Sequence, residues 1–348
     1  MVRVRSSLAE LPAYVPGRKA PGAAALASNE SPYGLLPGVA GRLAELAGGV
    51  SRYPDMGATA LVRAIAAHHG VEPDRIAVGA GSSEVCGQLL HSVVGPGDEV
   101  VFGWRSFEAY PILTAVAGGT AVKIPLRDHT LDLDAMAAAV TGRTRLVFVC
   151  NPNNPTSTAV GERALRDFAD RVPQDVLIVV DEAYREYADP ERVPDALGLL
   201  GDRPNVVVLR TFSKAYALAG LRVGYCVAPM EIAAQVRKTQ VPFSVSALAQ
   251  EAAVVALGEC PEVARRAALT VAEREGTALR LRALGFEVPQ SQANFVWLPL
   301  AGDSADFARH CLDGKVVVRP FLGEGVRVTI GLPEENDAFL ALAATWRG

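Results

Sequence analysis

The sequence predicts an α/β fold: a mostly parallel central sheet flanked by helices, followed by a smaller α+β domain. Three observations predict it. From about Gly57 to Pro229, amphipathic stretches alternate with short apolar runs. Several of those runs are apolar throughout, as expected of strands covered on both faces. After Pro229 the rhythm changes to long helical stretches and then to short strands interleaved with helices. At 348 residues the chain exceeds a single core of usual size, so two lobes are expected.

Taken in order, "ATALVRAIAAHH" has helical spacing, "RIAVGAG" reads as a strand entering a glycine turn, and "SSEVCGQLLHSVV" returns to helix. "DEVVFG", "TAVKIPL", "RTRLVFVCN", "DVLIVVDEA", "NVVVLRTF" and "RVGYCVA" are further strands. Helices dominate from about 230 to 284, where "EVARRAALTVAEREGTALRLRAL" is long enough to bridge two lobes. "ANFVWLPL", "KVVVRPF" and "VRVTIG" supply the last strands, and "SADFARHCL" and "ENDAFLALAATW" the last helices. The opening, rich in Pro and Gly but punctuated by apolar and aromatic residues, reads as an extended arm packed on the body. The expected division is residues 1–45 as this arm and part of the small domain, 46–255 as the large α/β domain, and 256–348 as the small C-terminal domain.

Composition excludes several classes. Half the residues are hydrophobic and 21% charged, which gives no reason to expect disorder. The net charge of −4, with no cluster of Lys and Arg, argues against a nucleic-acid surface. "MVRVRSSLAELPAYVPG" lacks the apolar core of a signal peptide, and nowhere do about 18 uncharged apolar residues run together. A cytoplasmic protein without membrane contact is expected. The five cysteines are scattered, with no C-x-x-C pair and no histidines at ligand spacing, and read as buried small hydrophobes; no metal is expected.

Ligands of open α/β sheets gather outside the carboxyl ends of the strands, and four strand-end loops carry unusual polar residues. In "GAGSSEV", Ser82 and Ser83 open a helix, which suits a phosphate, although a serine N-cap alone would explain them. In "CNPNNPTS", two prolines hold Asn153 and Asn154 rigidly at a strand end, stiffer than a turn requires. In "VVDEAYREY", Asp181 ends an apolar strand, where a carboxylate needs a cation or donor, with Tyr184 three residues on; a helix N-cap is the other reading of Asp181. In "RTFSKAYALAGLRVGY", Lys214 follows a strand, and a desolvated lysine becomes a usable nucleophile. Thr211, Ser213 and Arg222 supply hydroxyls and a fixed cation for a phosphate dianion. A buried structural salt bridge is the competing reading of Lys214, and it leaves those neighbours unexplained. Together the groups describe one ligand, with a phosphate, an aldehyde, a phenolic oxygen and a ring nitrogen. Pyridoxal 5′-phosphate has all four.

On these residues and on "ASNESPYG", "RYPD", "FGWRSFEAYP", "QANFVWLP", "VVVRPF", "VRVTIG" and "EENDAFL", the chain resembles the fold-type I pyridoxal-phosphate aminotransferases, histidinol-phosphate aminotransferase branch, nearly end to end. Within it, "VVFGWRSFEAYP", "CNPNNPTST" and "SQANFVWLPL" are most similar to the bacterial aromatic amino acid (phenylalanine) aminotransferases.

The resemblance implies that Lys214 bonds the cofactor aldehyde and shuttles the substrate proton, that Asp181 pairs with the ring nitrogen, and that Asn154 and Tyr184 hydrogen-bond the phenolic oxygen. It implies Ser82, Ser83, Thr211, Ser213 and Arg222 on the phosphate, and Phe107 stacked on the ring, where a plain core aromatic is the alternative. Tyr53 of "SRYPD" matches a tyrosine donated across a homodimer interface to the neighbour's phosphate, though by itself Tyr53-Pro54 is only a turn. Arg327 matches the arginine that grips the substrate α-carboxylate; a solvent-facing strand arginine is its bland reading. The implied reaction is a ping-pong transfer between an aromatic amino acid and a 2-oxo acid, 2-oxoglutarate above all. Histidinol phosphate is the alternative substrate; it needs a second anion site, for which Arg319, Tyr14 or Asn29 are available. An aromatic side-chain pocket has Tyr14, Tyr33, Phe107, Phe243 and Phe321 to draw on. One departure is Ser157, where many relatives have glycine. A decarboxylase or lyase on the same fold, and a non-catalytic cofactor-binding regulator, are the readings from other classes.

Overall fold

The computed structural model describes Val2, Leu11 and residues 20–347. Among the described residues twelve strands run in chain order: β1 (Ala24–Ala25), β2 (Ile76–Gly79), β3 (Glu99–Trp104), β4 (Thr120–Pro125), β5 (Thr144–Cys150), β6 (Leu177–Asp181), β7 (Val206–Thr211), β8 (Gly224–Val227), β9 (Phe295–Leu298), β10 (Val316–Val317), β11 (Arg319–Phe321) and β12 (Gly325–Thr329). Seven of them form one sheet in the order β2-β8-β7-β6-β5-β3-β4. Alternate residues of its strands enter two different apolar clusters. Val147, Val149, Ile178 and Val180 pack on one face, while Leu146, Phe148, Leu177 and Val179 pack on the other. That is why these runs are apolar throughout. At the edge, β4 has only partly buried and exposed positions, because it has a neighbouring strand on one side only.

Strands β4, β3, β5, β6 and β7 are mutually parallel, as the sequence predicts. Strand β8 departs from this and lies antiparallel to both β7 and β2. Residues 212–223 between β7 and β8 hold only a short 3₁₀ turn, with no crossover helix, so the chain re-enters the sheet from the end at which it left. The register then sets Thr211 opposite Gly224, and Gly224 opposite Gly79. Three loops are thereby gathered at one point of the sheet's rim.

The small sheet is antiparallel, in the order β11-β12-β9, over a third apolar cluster that includes Phe307 and Phe339. "KVVVRPF", read as one strand, is two: β10 pairs in parallel with β1 of the arm, and β11 pairs with β12. The arm is thus tied to the C-terminal part, with Leu26 buried in the third cluster. The long helix Cys260–Ala283 spans both packing regions, contributing Val263 and Ala267 to one and Ala278 and Leu281 to the other. The sequence reading did not anticipate the helix Pro37–Leu46, whose Val39 packs in the core beneath the large sheet. Among the described residues no helix is long and apolar enough to cross a membrane, and no group of His, Cys, Asp and Glu could hold a metal.

Gly224 shows how tightly the rim is built. A Cβ there would press on the backbone of Gly81 and Ser82, which cannot move aside like the end of a side chain. Gly224→Ala should therefore lower the urea unfolding free energy by about 1–3 kcal/mol, and the fall should be accompanied by weaker binding of phosphate-bearing ligands.

Candidate active site

A pocket of about 250 Å³ lies beyond the carboxyl ends of β5, β6 and β7, and Lys214, Asp181, Asn154, Arg222, Arg319 and Arg327 all line it. Ser82, Ser83, Phe107, Tyr184, Thr211, Ser213 and Asn29 line it as well. Of the residues expected to hold the cofactor within the described residues, Tyr53 is the one that this pocket does not include. Tyr14 lies outside the described residues.

Strand β7 ends in Thr211, whose hydroxyl bonds the Ser213 hydroxyl at 3.0 Å and accepts the Ser213 amide at 3.1 Å. Arg222 holds a left-handed backbone, φ +57°, and its Nη1 reaches Ser213 Oγ at 3.4 Å and the Ala219 carbonyl at 3.1 Å. Across the rim, Ser82 and Ser83 begin the helix Ser82–Val93. The serine N-cap, the competing reading of these residues, is absent, because the cap position is Gly81, at φ +83°. Glycine is needed there: a Cβ would collide with the Arg222 guanidinium. The cluster thus combines a helix N-terminus, three serine hydroxyls, one threonine hydroxyl and a guanidinium, an arrangement suited to a phosphate dianion.

Lys214 directs its amine into this pocket and donates to the carbonyl of Ser28 at 3.2 Å. Among the described residues it forms no ion pair, so none of them supplies the structural salt bridge that was the competing reading. Burial, then the nearby charge of Arg327, lowers its pKa from 10.5 to about 7. Tyr184 sits beside it, with the ring centroid 6.0 Å from Nζ. The Tyr184 hydroxyl accepts from Asn29 Nδ2 at 2.9 Å, and burial pushes its pKa up.

Asp181, at the last position of β6, is buried, and desolvation raises its pKa to about 6. Its Oδ2 accepts a 2.7 Å hydrogen bond from Tyr110, and its Oδ1 accepts the Ala183 amide at 3.2 Å. Tyr110 was quoted in the sequence but not singled out. Its ring stacks on Phe148 at 4.2 Å and meets Phe107 edge-on at 5.4 Å, so one residue fixes both the carboxylate and the aromatic wall. A tyrosine on an otherwise apolar helix was the available signal, since a buried phenol needs an acceptor.

The Asn-Pro loop divides its labour. Asn153 is structural: Oδ1 accepts from Ser106 at 2.7 Å, and Nδ2 donates to Thr156 at 2.7 Å and to the Arg105 carbonyl at 3.1 Å. Asn154 faces the pocket and accepts from Arg327 Nη1 at 2.6 Å. Ser157, the departure from relatives, is buried at φ +63°, a conformation that glycine would hold without cost.

Arg327 is buried on β12, and its Nη2 also donates to the Ala27 carbonyl at 2.6 Å. Arg319, offered as a second anion site, donates to Glu108 at 2.8 Å. Asn29, also offered to substrate, already bonds Tyr184 and Thr329. Of the aromatic residues expected to line a side-chain pocket, Phe107 does so, and among the other described ones Tyr33, Phe243 and Phe321 lie outside it. Tyr53 is 82% exposed and stacks on Phe243 at 4.6 Å. The main-chain carbonyls of Ala27 and Ser28 were not foreseen, because a backbone group leaves no mark on residue identity.

The family model for aminotransferase class I and II matches residues 23–341, and the chain belongs to that family. It is 54% identical over 347 residues to an aromatic amino acid aminotransferase of Thermobifida fusca, covering 99% of this chain and 97% of that one. It is 52% identical over 347 residues to one of Mycobacterium bovis, covering 99% and 98%. A histidinol-phosphate aminotransferase of Sinorhizobium meliloti, crystallised with pyridoxal 5′-phosphate, superimposes with a TM-score of 0.89 at 30% identity, covering 99% of this chain and 97% of that one.

The lowered pKa of Lys214 has a thermodynamic sign. Between about pH 7 and pH 10.5 the unfolded chain binds more protons at this residue than the folded one, so its contribution makes apoprotein stability rise with pH. Lys214→Met should stabilise the apoprotein below about pH 7, and the gain should fade as the pH approaches about 10.5. Urea midpoints of both proteins across that range check it.

Proposed function

We propose that this aminotransferase uses pyridoxal 5′-phosphate to move the amino group between an aromatic L-amino acid (Phe, Tyr or Trp) and 2-oxoglutarate. The observation that carries the reading is Lys214, an amine of lowered pKa that has no paired carboxylate among the described residues and lies between Asp181 and the Thr211, Ser213 and Arg222 cluster.

The residues present fit the cofactor. The hydroxyls and helix terminus beside Arg222 match its phosphate, the desolvated amine its aldehyde, and Asp181, charged and hydrogen-bonded, its ring nitrogen. Asn154 and Tyr184 would serve the phenolic oxygen, and Phe107 the ring face. Bound there, the cofactor supplies the electron sink that stabilises a carbanion at the substrate Cα. Lys214 Nζ accepts the Cα proton and later returns one, a task suited to an amine titrating near neutrality. Arg327 orients the substrate by its α-carboxylate, and Tyr110 holds Asp181 in line.

The aromatic substrate draws support from the names borne by relatives above 50% identity, and from Arg319, which is engaged by a carboxylate instead of open to a phosphate. We further propose a homodimer with shared sites. Tyr53 and Phe243 form an exposed aromatic pair away from their own chain's pocket, suited to reach a neighbour's.

Lys214→Ala should lower kcat/KM on the order of 10⁴-fold or more and abolish the absorbance band of the lysine-bound cofactor. Wild-type kcat/KM should be higher for phenylalanine than for histidinol phosphate; the opposite order would overturn the substrate reading. Light scattering should give twice the mass of the chain.

A further inference from the structure

Asn29 is buried and lines the pocket, with a left-handed backbone at φ +53°. Asparagine tolerates that conformation where most residues do not. Its main-chain N–H donates to Thr329 Oγ1 at 2.9 Å, and its carbonyl accepts from Asn294 Nδ2 at 3.1 Å. Thr329 Oγ1 donates to Asn29 Oδ1 at 3.0 Å, and Asn29 Nδ2 donates to the Tyr184 hydroxyl at 2.9 Å.

The direction of each bond follows from the one before it. A main-chain N–H can only donate, so the Thr329 oxygen accepts there and sends its own hydrogen to Oδ1. That assigns the amide, with oxygen toward Thr329 and nitrogen toward Tyr184. An amide NH₂ cannot accept, so the Tyr184 hydroxyl accepts from Asn29 and its own hydrogen points elsewhere. Among the described residues that hydrogen meets no acceptor, and Tyr184 lines the pocket. The ring does not need the amide to stay in place, since it meets Phe295 edge-on at 5.0 Å. Phe295 lies opposite Thr329 in the register of β9 and β12, so the small sheet supplies both the wall for the ring and the hydroxyl that orients the amide. Burial keeps the phenol protonated; Arg327 by its charge and Asn29 by its hydrogen bond act against this, while Cys150 and Asp181 act with it.

We propose that Asn29 is a positioning residue: it sets the Tyr184 hydroxyl as a hydrogen-bond donor to the phenolic oxygen of pyridoxal 5′-phosphate. The inference rests on the cofactor reading above. A hydroxyl oriented this way meets the phenolic oxygen with its hydrogen instead of a lone pair. It is set before the cofactor arrives, so no reorganisation is needed on binding. Thr329 stands two residues after Arg327 on β12, so the strand that carries that arginine also fixes the direction of the donor.

The test is read from the spectrum and from cofactor binding. Asn29→Asp keeps the shape but replaces the amide donor with an acceptor, which draws the Tyr184 hydrogen away from the pocket. A donor withdraws charge from the phenolic oxygen and weakens its hold on a shared proton. Without it the lysine-bound cofactor should keep its proton to higher pH, so the midpoint of its absorbance change should rise by about one pH unit. The dissociation constant from titrating pyridoxal 5′-phosphate into the apoenzyme should rise about tenfold. The new charge acts in the same direction, so the substitution is repeated in a Tyr184→Phe background. There the shift in midpoint should fall to less than about half, because no hydroxyl is left to turn. A shift undiminished in that background, or absent in the single variant, overturns the proposal. Thr329→Val removes the hydrogen that assigns the amide and adds no charge. It should raise the midpoint by a smaller amount only where Tyr184 is present, and it decides the matter where the aspartate variant does not fold; no shift there overturns the proposal. A wild-type chain that forms no lysine-bound band overturns the cofactor reading itself.

Discussion

The antiparallel return of β8 is the constraint on which the rest of the pocket depends. Had the chain crossed over after β7 as it does after the other strands, residues 212–223 would lead away from the rim. Because β8 begins where β7 ends, Thr211, Ser213, Lys214 and Arg222 lie within one loop. Pairing of β8 with β2 then brings the Gly81–Ser83 turn against the same loop, so close that Gly224 has no room for a side chain. A cation, four hydroxyls and a helix N-terminus converge by strand register, and no long-range salt bridge is required to assemble them.

The two acidic residues at the end of β6 show how the sheet separates function from support. Neighbouring residues leave a strand end on opposite faces. Asp181 faces the pocket, where Tyr110 is its donor. Glu182 turns to the other side, where it pairs with Arg210 at 2.7 Å and accepts the Ala196 amide at 2.9 Å. Arg210 also reaches Asp195 at 2.7 Å, so Glu182 is locked into a buried network that braces the strand end. Breaking such a network leaves an uncompensated buried charge, and this is why the strand end that carries Asp181 stays in place.

Most of the large sheet was legible in the sequence, because strands buried on both faces write themselves as continuous apolar runs. Lys214, Asp181 and Asn154 were legible for a related reason: each lies at or just beyond the end of such a run and carries a group that is costly to desolvate. The direction of β8 was not, since four residues pair equally well either way and the decision rests on what lies between the strands. The helix Pro37–Leu46 was hidden by a Pro- and Gly-rich approach that reads as extended arm. Tyr110 and Glu108 were present in a quoted string, yet their meaning comes from partners 71 and 211 residues away. Tyr33, Phe243 and Phe321 do not line this pocket, because residue type says nothing about the direction in which a side chain points.

The pocket has two halves with different origins. One is made by strand-end loops of the large sheet, whose polar groups are fixed by ladder register. The other is assembled from segments distant in sequence: Ala27, Ser28 and Asn29 of the arm, the Phe107–Glu108 loop, and Arg319 and Arg327 of the small sheet. The arm is clamped between them, since Leu26 donates to Val317, Thr329 donates to Leu26, and Asn294 donates to Asn29. This clamp carries the Ser28 carbonyl to Lys214 and the Ala27 carbonyl to Arg327, so a single extended segment touches both halves. A shift of the small sheet therefore cannot move the Arg327 guanidinium without also moving the backbone that Lys214 bonds. On the proposed reaction, substrate position and proton-transfer geometry would be coupled through this short run of main chain.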